Sequence, residues 1–150
     1  RGGGMFTHSS YDDYRILESQ LLGDKSRTTK RIIPYAIFTD PNLARVGMSE
    51  KEAKEESLNF KSVCYEMKKN GKAREIGESQ GFIKILVDTD TQKLLGAAVL
   101  SSEAAEIIHP YILMMQNDLP YTALESILCI HPTLSEAVQS ALKQIGAVLD

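Results

Sequence analysis

Gly81-Phe82-Ile83-Lys84-Ile85-Leu86-Val87-Asp88-Thr89-Asp90-Thr91-Gln92-Lys93-Leu94-Leu95-Gly96-Ala97-Ala98-Val99-Leu100 decides the fold class. Phe82, Ile83, Ile85, Leu86 and Val87 form one apolar run, and Leu94 to Leu100 forms a second. The polar stretch Asp88 to Lys93 separates them, which predicts two antiparallel strands joined by a loop. Upstream, Phe60 to Met67 alternates enough to be another strand. Lys68 to Lys72 follows it, and its Asn70-Gly71 pair is the strongest turn signal in the chain. Further back, Ile32 to Phe38 is a short apolar run whose Pro34 favours an edge strand or a strand start. Thr39-Asp40-Pro41-Asn42 reads as a turn. Ser49 with Glu52 three residues on predicts a capped helix from about Glu50 to Glu56.

Downstream of the hairpin the period changes. Ala104, Ala105, Ile107, Ile108, Ile112, Leu113 and Met115 predict a helix from about Ser102 to Gln116. Pro110 lies inside it, so the helix kinks there or a second one starts. Tyr121 to Leu128 predicts one short helical turn. A last helix is expected from Thr133 or Leu134 to about Ile145, with Gly146 ending it. Strands that group together and helices that follow give an α+β class, an antiparallel sheet covered by helices.

The first thirty residues read differently. Gly2-Gly3-Gly4 delays any element and lacks the pattern of a phosphate loop. Ser9 to Leu22 predicts an amphipathic helix, with Tyr11, Tyr14, Ile16, Leu17, Leu21 and Leu22 among polar residues. Gly23 to Arg31 is polar, carries four basic residues and reads as a linker. The expected organisation is therefore 1–31 as a helix plus linker and 32–150 as the main domain, cut from something larger.

Bulk properties exclude several classes. The chain has 150 residues, 43% of them hydrophobic and 25% charged, which suits one folded domain. Seventeen basic against 20 acidic residues give a net charge of -3, so no general attraction to nucleic acid or to an anionic membrane is expected. No run approaches the roughly 20 apolar residues of a membrane span. Arg1 to Gly4 lacks the apolar region of a signal peptide, and a cytoplasmic location is expected. Cys64 and Cys129 form no CxxC pair and are expected to be reduced thiols. A structural zinc site would need about four ligands at close spacing, and no such set is present.

The chemistry concentrates in His131-Pro132-Thr133-Leu134-Ser135-Glu136. Thr133 to Glu136 has the S/T-x-x-E form of a capping box, which would leave His131 a loop residue before a helix. The same spacing puts a carboxylate one turn inside a helix and an imidazole just outside it. Such a carboxylate can fix the ring's tautomer and stabilise the imidazolium, as a general acid–base pair requires. Cys129, two residues before His131, also raises a thiol nucleophile beside a base, although no oxyanion hole is evident. His8 and His109 stand alone and are expected to be structural.

Several segments together resemble a known family. Pro34 to Pro41 followed by Ala44 to Glu50 looks like the opening of the C-terminal dimerisation domain of FAD-dependent pyridine nucleotide-disulfide oxidoreductases. Gly81 to Lys84 through Leu95 to Ala97 resembles that domain's central hairpin, and His131 to Glu136 its most specific signature. Phe6 to Arg15 resembles the segment that ends the family's FAD-binding domain. The wording is most similar to the mercuric-reductase and dihydrolipoamide-dehydrogenase-like branch.

The resemblance implies a homodimer in which NAD(P)H reduces FAD and FAD reduces a cysteine pair. It implies His131 as the acid–base supplied to the partner subunit's redox disulfide, with Glu136 orienting it. Met5, Phe6 and Thr7 would fall where the family's backbone approaches the flavin. These 150 residues depart from the family in lacking its GxGxxG fold, its redox CxxxxC and its NAD(P)H-binding domain, and Ser101-Ser102 replaces the usual glycine after the hairpin. The chain alone is therefore expected to dimerise, to bind FAD poorly or not at all, and to have no reductase activity. A stand-alone interaction module without catalysis is the alternative.

Overall fold

The computed structural model describes residues 5–149. Gly2-Gly3-Gly4, read above as delaying the first element, lie outside the described residues. The chain divides into two compact units, Arg1–Ile33 and Pro34–Asp150.

The first unit is built on α1 (Thr7–Leu22), two residues longer at its start than the periodicity predicts. Ser9 explains the extension: its Oγ accepts from the Phe6 N–H at 3.2 Å and donates to the Phe6 carbonyl at 2.8 Å. Ile16 is buried, whereas Tyr11, Tyr14, Leu17, Leu21 and Leu22 are exposed. The linker is tied back on the helix by Arg31. Its guanidinium pairs with Asp12 and, at 2.5 Å, with Asp13, while Arg27 reaches Asp12 at 3.4 Å. Two of the linker's four basic residues, Arg27 and Arg31, thus meet the acidic side of α1.

The second unit contains one five-stranded antiparallel sheet. Its strands are β1 (Tyr35–Ile37), β2 (Asn42–Gly47), β3 (Phe60–Glu66), β4 (Phe82–Asp88) and β5 (Leu94–Ser101). The spatial order is β1-β2-β5-β4-β3. The predicted hairpin is its centre, with Ile83 opposite Val99 and Ile85 opposite Ala97. A bulge at Leu86/Val87 shifts the register, so Val87 faces Leu94. Gly81 opens β4 at φ +107, and a Cβ there would drive into the Leu100 carbonyl, so only glycine fits.

Ile83, Ile85 and Val87 alternate with Lys84, and this period puts them in the core with Val46 and Val99. Lys84 is half-buried and pairs with Glu50 at 2.9 Å. Glu50 starts α2 (Glu50–Glu55), which is capped as expected: Ser49 Oγ accepts from the Glu52 N–H at 3.2 Å, and Glu52 accepts from the Ser49 N–H at 2.7 Å. The remaining helices are α3 (Gly71–Glu75), α4 (Ala104–Ile107), α5 (His109–Gln116), α6 (Thr122–Glu125) and α7 (Glu136–Leu149). α7 packs on β3 and β4, and α4 and α5 pack on β5. Leu142 and Ile145 of α7 and Tyr111 of α5 are fully buried.

Three expectations are corrected. β2 was not foreseen as a strand; its buried positions Ala44 and Val46 alternate, but Asn42 and Arg45 are weak strand formers. The Asn70-Gly71 pair does not turn a hairpin. Asn70 has φ -79 and ψ 129 and caps α3, accepting the Ala73 N–H at 2.9 Å. The side-chain acceptor that favours Asn in turns serves equally as an N-cap. Of the two outcomes expected at Pro110, a kink or a second helix, the structure has the second: α4 ends at Ile107 and Pro110 lies in the first turn of α5. Finally, α7 begins at Glu136 and runs through Gly146 to Leu149. Its entry is a tight turn in which Leu134 and Ser135 carbonyls accept from Ala137 and Val138, each at 3.0 Å.

Candidate functional site

The loop between α6 and α7 carries the predicted site. Its backbone is held by local bonds that the sequence supplies. Thr133 Oγ1 donates to the Ile130 carbonyl at 2.9 Å and accepts from the Glu136 N–H at 3.3 Å. The Glu136 carboxylate accepts from the Thr133 N–H at 2.9 Å. Both halves of the capping box are therefore formed. Gln139 on α7 donates to the Glu125 carbonyl at 2.9 Å and also to the Ile127 carbonyl, which ties the other end of the loop to the helix.

The same carboxylate meets the imidazole. His131 Nδ1 lies 3.0 Å from Glu136 Oε1 and 3.1 Å from Oε2. The sequence reading set these two roles of Glu136 against each other; the structure has both at once, because Oε2 serves the Thr133 N–H while Oε1 leans on the ring. The Thr133 N–H, together with the hydrogen bond and charge of His131, holds the Glu136 carboxyl below its ordinary value, against a smaller opposing effect of burial. Glu136 is therefore an anion at neutral pH.

Exposure divides the pair. The His131 side chain is 76% exposed and that of Glu136 only 22%. An ionised carboxylate at Nδ1 selects the tautomer with hydrogen on Nδ1, leaving a lone pair on Nε2. The ring thus offers a proton acceptor to whatever approaches from solvent. Leu128 at 99% and Ile130 at 80% exposed give the adjoining loop an apolar surface.

The other singled-out residues are placed as follows. Cys129 is half-buried and, among the described residues, makes no hydrogen bond to His131, whose Nδ1 is committed to Glu136. The thiol–imidazole pairing considered from the sequence is thus not formed. Cys64 is exposed on β3. Met5, Phe6 and Thr7 stand at the start of α1 in the first unit, with Met5 almost fully exposed and Phe6 stacked on His8 at 5.3 Å between ring centres. His109 Nδ1 bonds the Glu106 carbonyl at 3.2 Å, a local contact at the start of α5. Among the described residues no group of three or more His, Cys, Asp or Glu could hold a metal ion. No helix among them is long and apolar enough to cross a membrane. Sequence reasoning missed Asn70 as a neighbour of this loop: it donates to the Thr133 carbonyl from 63 positions away, and no local pattern encodes that contact.

Comparison with known proteins adds the family context. The pyridine nucleotide-disulphide oxidoreductase dimerisation domain matches residues 33–142. The probable pyridine nucleotide-disulfide oxidoreductase RclA of Escherichia coli K12 is 37% identical over 139 residues, covering 91% of this chain and 32% of the relative. Dihydrolipoyl dehydrogenase 2 of Haloarcula marismortui is 34% identical over 142 residues, covering 93% of this chain and 30% of the relative. The solved structure of the HOCl-induced flavoprotein disulfide reductase RclA from E. coli superposes with a TM-score of 0.90 at 35% identity, over 96% of this chain and 34% of that one. The chain thus spans about a third of the length of these relatives.

Proposed function

The chain belongs to the pyridine nucleotide-disulphide oxidoreductases, whose dimerisation domain it carries, and on that premise we propose that it supplies one half of a shared redox centre. In this reading two copies pair, and His131 of one acts as acid–base on a redox disulfide of the other. Glu136 is its orienting partner. The observation that carries the reading is the exposed imidazole whose Nδ1 is held by an ionised carboxylate. When a substrate thiol attacks the disulfide, its sulfur forms a mixed disulfide and its proton passes to Nε2, while the S–S electron pair leaves with the released thiolate. In the reverse direction Nε2–H protonates the departing sulfur.

The relatives' length leaves room for nucleotide-binding regions outside these 150 residues, and the longer protein would use FAD and NAD(P)H. FAD, when bound there, carries electrons from the nicotinamide to the disulfide. The start of α1 fits one edge of such a site. Met5 is exposed and free to approach a ligand, whereas the Phe6 N–H and carbonyl are already bonded by Ser9 and Ser10. Met5, Phe6 and Thr7 would therefore line that edge with the Phe6 backbone groups already engaged. These 150 residues hold only Cys64 and Cys129 and no CxxxxC, so the chain alone has no reductase activity.

Three measurements test this. Sedimentation at micromolar concentration gives a dimer. In the full-length polypeptide His131→Gln lowers thiol–disulfide turnover by roughly 10²–10⁴-fold and leaves flavin reduction by NAD(P)H unchanged. A monomer refutes the pairing, and undiminished turnover refutes the acid–base role. Clear NAD(P)H oxidation by the 150-residue chain with added FAD refutes its dependence on other regions.

A further inference from the structure

Asn70 is 3% exposed, one of the few buried polar side chains of the second unit. Its amide is used at both ends. Oδ1 accepts the Ala73 N–H at 2.9 Å, and Nδ2 donates to the Thr133 carbonyl at 3.0 Å. The chemistry leaves only one orientation: an N–H requires the oxygen on one side, and a carbonyl requires the NH₂ on the other. The Thr133 residue is thereby gripped through three groups, its carbonyl by Asn70, its N–H by Glu136 and its hydroxyl by Ile130 and Glu136. Gly71 completes the arrangement. A Cβ at Gly71 would lie 3.9 Å from His131 Cε1, so the imidazole edge stands directly over this glycine.

We propose that Asn70 is a positioning residue for the His131–Glu136 pair, clamping the Thr133 carbonyl so that the exposed ring stays against its carboxylate. The proposal rests on the acid–base reading above. His131 is three-quarters exposed and has little packing of its own to hold it. Its geometry therefore depends on the backbone beneath it, and the Thr133 carbonyl is where the rest of the domain takes hold of that backbone. The Asn70 side chain is the bridge between α3 and this loop, and Gly71 beside it lies next to the ring.

The test is Asn70→Ser in the 150-residue chain. Serine is a good N-cap, so the bond to Ala73 is kept while the donor to Thr133 is lost. Imidazole ¹⁵N shifts at a pH where His131 is neutral read the ratio of its Nδ1–H to Nε2–H tautomers. The wild-type chain shows mainly Nδ1–H. In Asn70→Ser the ratio falls, on the order of fivefold for the loss of one ordinary hydrogen bond. An unchanged ratio, with or without a lower melting temperature, would mean that Asn70 is only a helix cap, and it would overturn the proposal alone. A wild-type ring without the Nδ1–H preference would overturn the acid–base reading and the positioning role together. Asn70→Asp, which also keeps the acceptor and lacks the donor, gives the same readout should the serine variant not fold.

Discussion

Replacing Glu136 with glutamine tests the pair most directly, because the two neighbours make conflicting demands on an amide. The Thr133 N–H, 2.9 Å away, can only donate, so the glutamine oxygen must turn to it. The NH₂ is then left facing His131 Nδ1, about where the carboxylate oxygen stood at 3.0 Å. Two donors cannot face each other, so the ring must surrender its Nδ1 hydrogen and adopt the Nε2–H tautomer. Glu136→Gln thus inverts the tautomer while keeping the shape of the site. The nitrogen facing solvent becomes a donor and cannot accept a proton. The stability effect is modest, since one charge-assisted bond becomes neutral on a partly exposed side chain, a loss of about 1 kcal/mol at pH 7. Its pH dependence has a definite sign. The Glu136 carboxyl is held below its ordinary value of 4.5, so its contribution is fully present above that value and is lost as pH falls through the lower folded value. Urea denaturation of wild type and Glu136→Gln at pH 7 should therefore differ by about 1 kcal/mol, and the gap should close below pH 4.5. Imidazole ¹⁵N spectra check the tautomer. A variant that keeps Nδ1–H, or a stability gap independent of pH, refutes the reasoning.

Gly146→Ala should stabilise the chain. Gly146 lies inside α7, and a Cβ there would sit 3.5 Å from the Tyr121 hydroxyl and 3.7 Å from its ring, ordinary contact distances. The gain is about 0.5–1 kcal/mol from helix propensity, read as a rise of roughly 1–4 °C in Tm; a lower Tm would show that the Tyr121 contact is tighter than its distance suggests. Ser101→Ala should stabilise too. Ser101 is fully buried, and its hydroxyl finds no partner among the described residues. Removing an unsatisfied hydroxyl relieves about 1 kcal/mol, visible as a higher urea midpoint with an unchanged slope; destabilisation would mean that the hydroxyl is satisfied after all.

The sequence makes legible what local pattern controls. The apolar runs Phe82 to Val87 and Leu94 to Leu100, parted by polar Asp88 to Lys93, mark the central strands, because both runs send side chains into the core. Ser49 and Glu52 mark α2, because a capping box is complete within four residues. What was illegible depends on partners distant in the chain. β2 is a strand because β1 and β5 flank it, with Ala44 opposite Ala36 and Val99. Gly146 stays helical because α7 lies against the core through Leu142 and Ile145, which outweighs a local preference to stop. At the site, the His131–Glu136 spacing is readable and its support by Asn70 is not. The Asn-Gly signal was seen there, but its local meaning, a hairpin turn, was displaced by a contact with Thr133 far along the chain.

The two local readings of Glu136, helix cap and imidazole partner, turn out to reinforce each other. A carboxylate that held only an exposed histidine would be free to swing away or to take a proton. Here the Thr133 N–H pins one oxygen in place and stabilises the charge, so an oriented anion is present before any substrate arrives. The anion in turn needs Nδ1–H whether the ring is neutral or protonated. Gain and loss of a proton at Nε2 therefore leave the Nδ1 contact unchanged, and no rearrangement accompanies proton transfer. That constancy is what a group alternating between base and acid requires. For the acid–base role proposed above, the helix start has a use: the capping geometry supplies, from four consecutive residues, the orientation that an exposed histidine lacks.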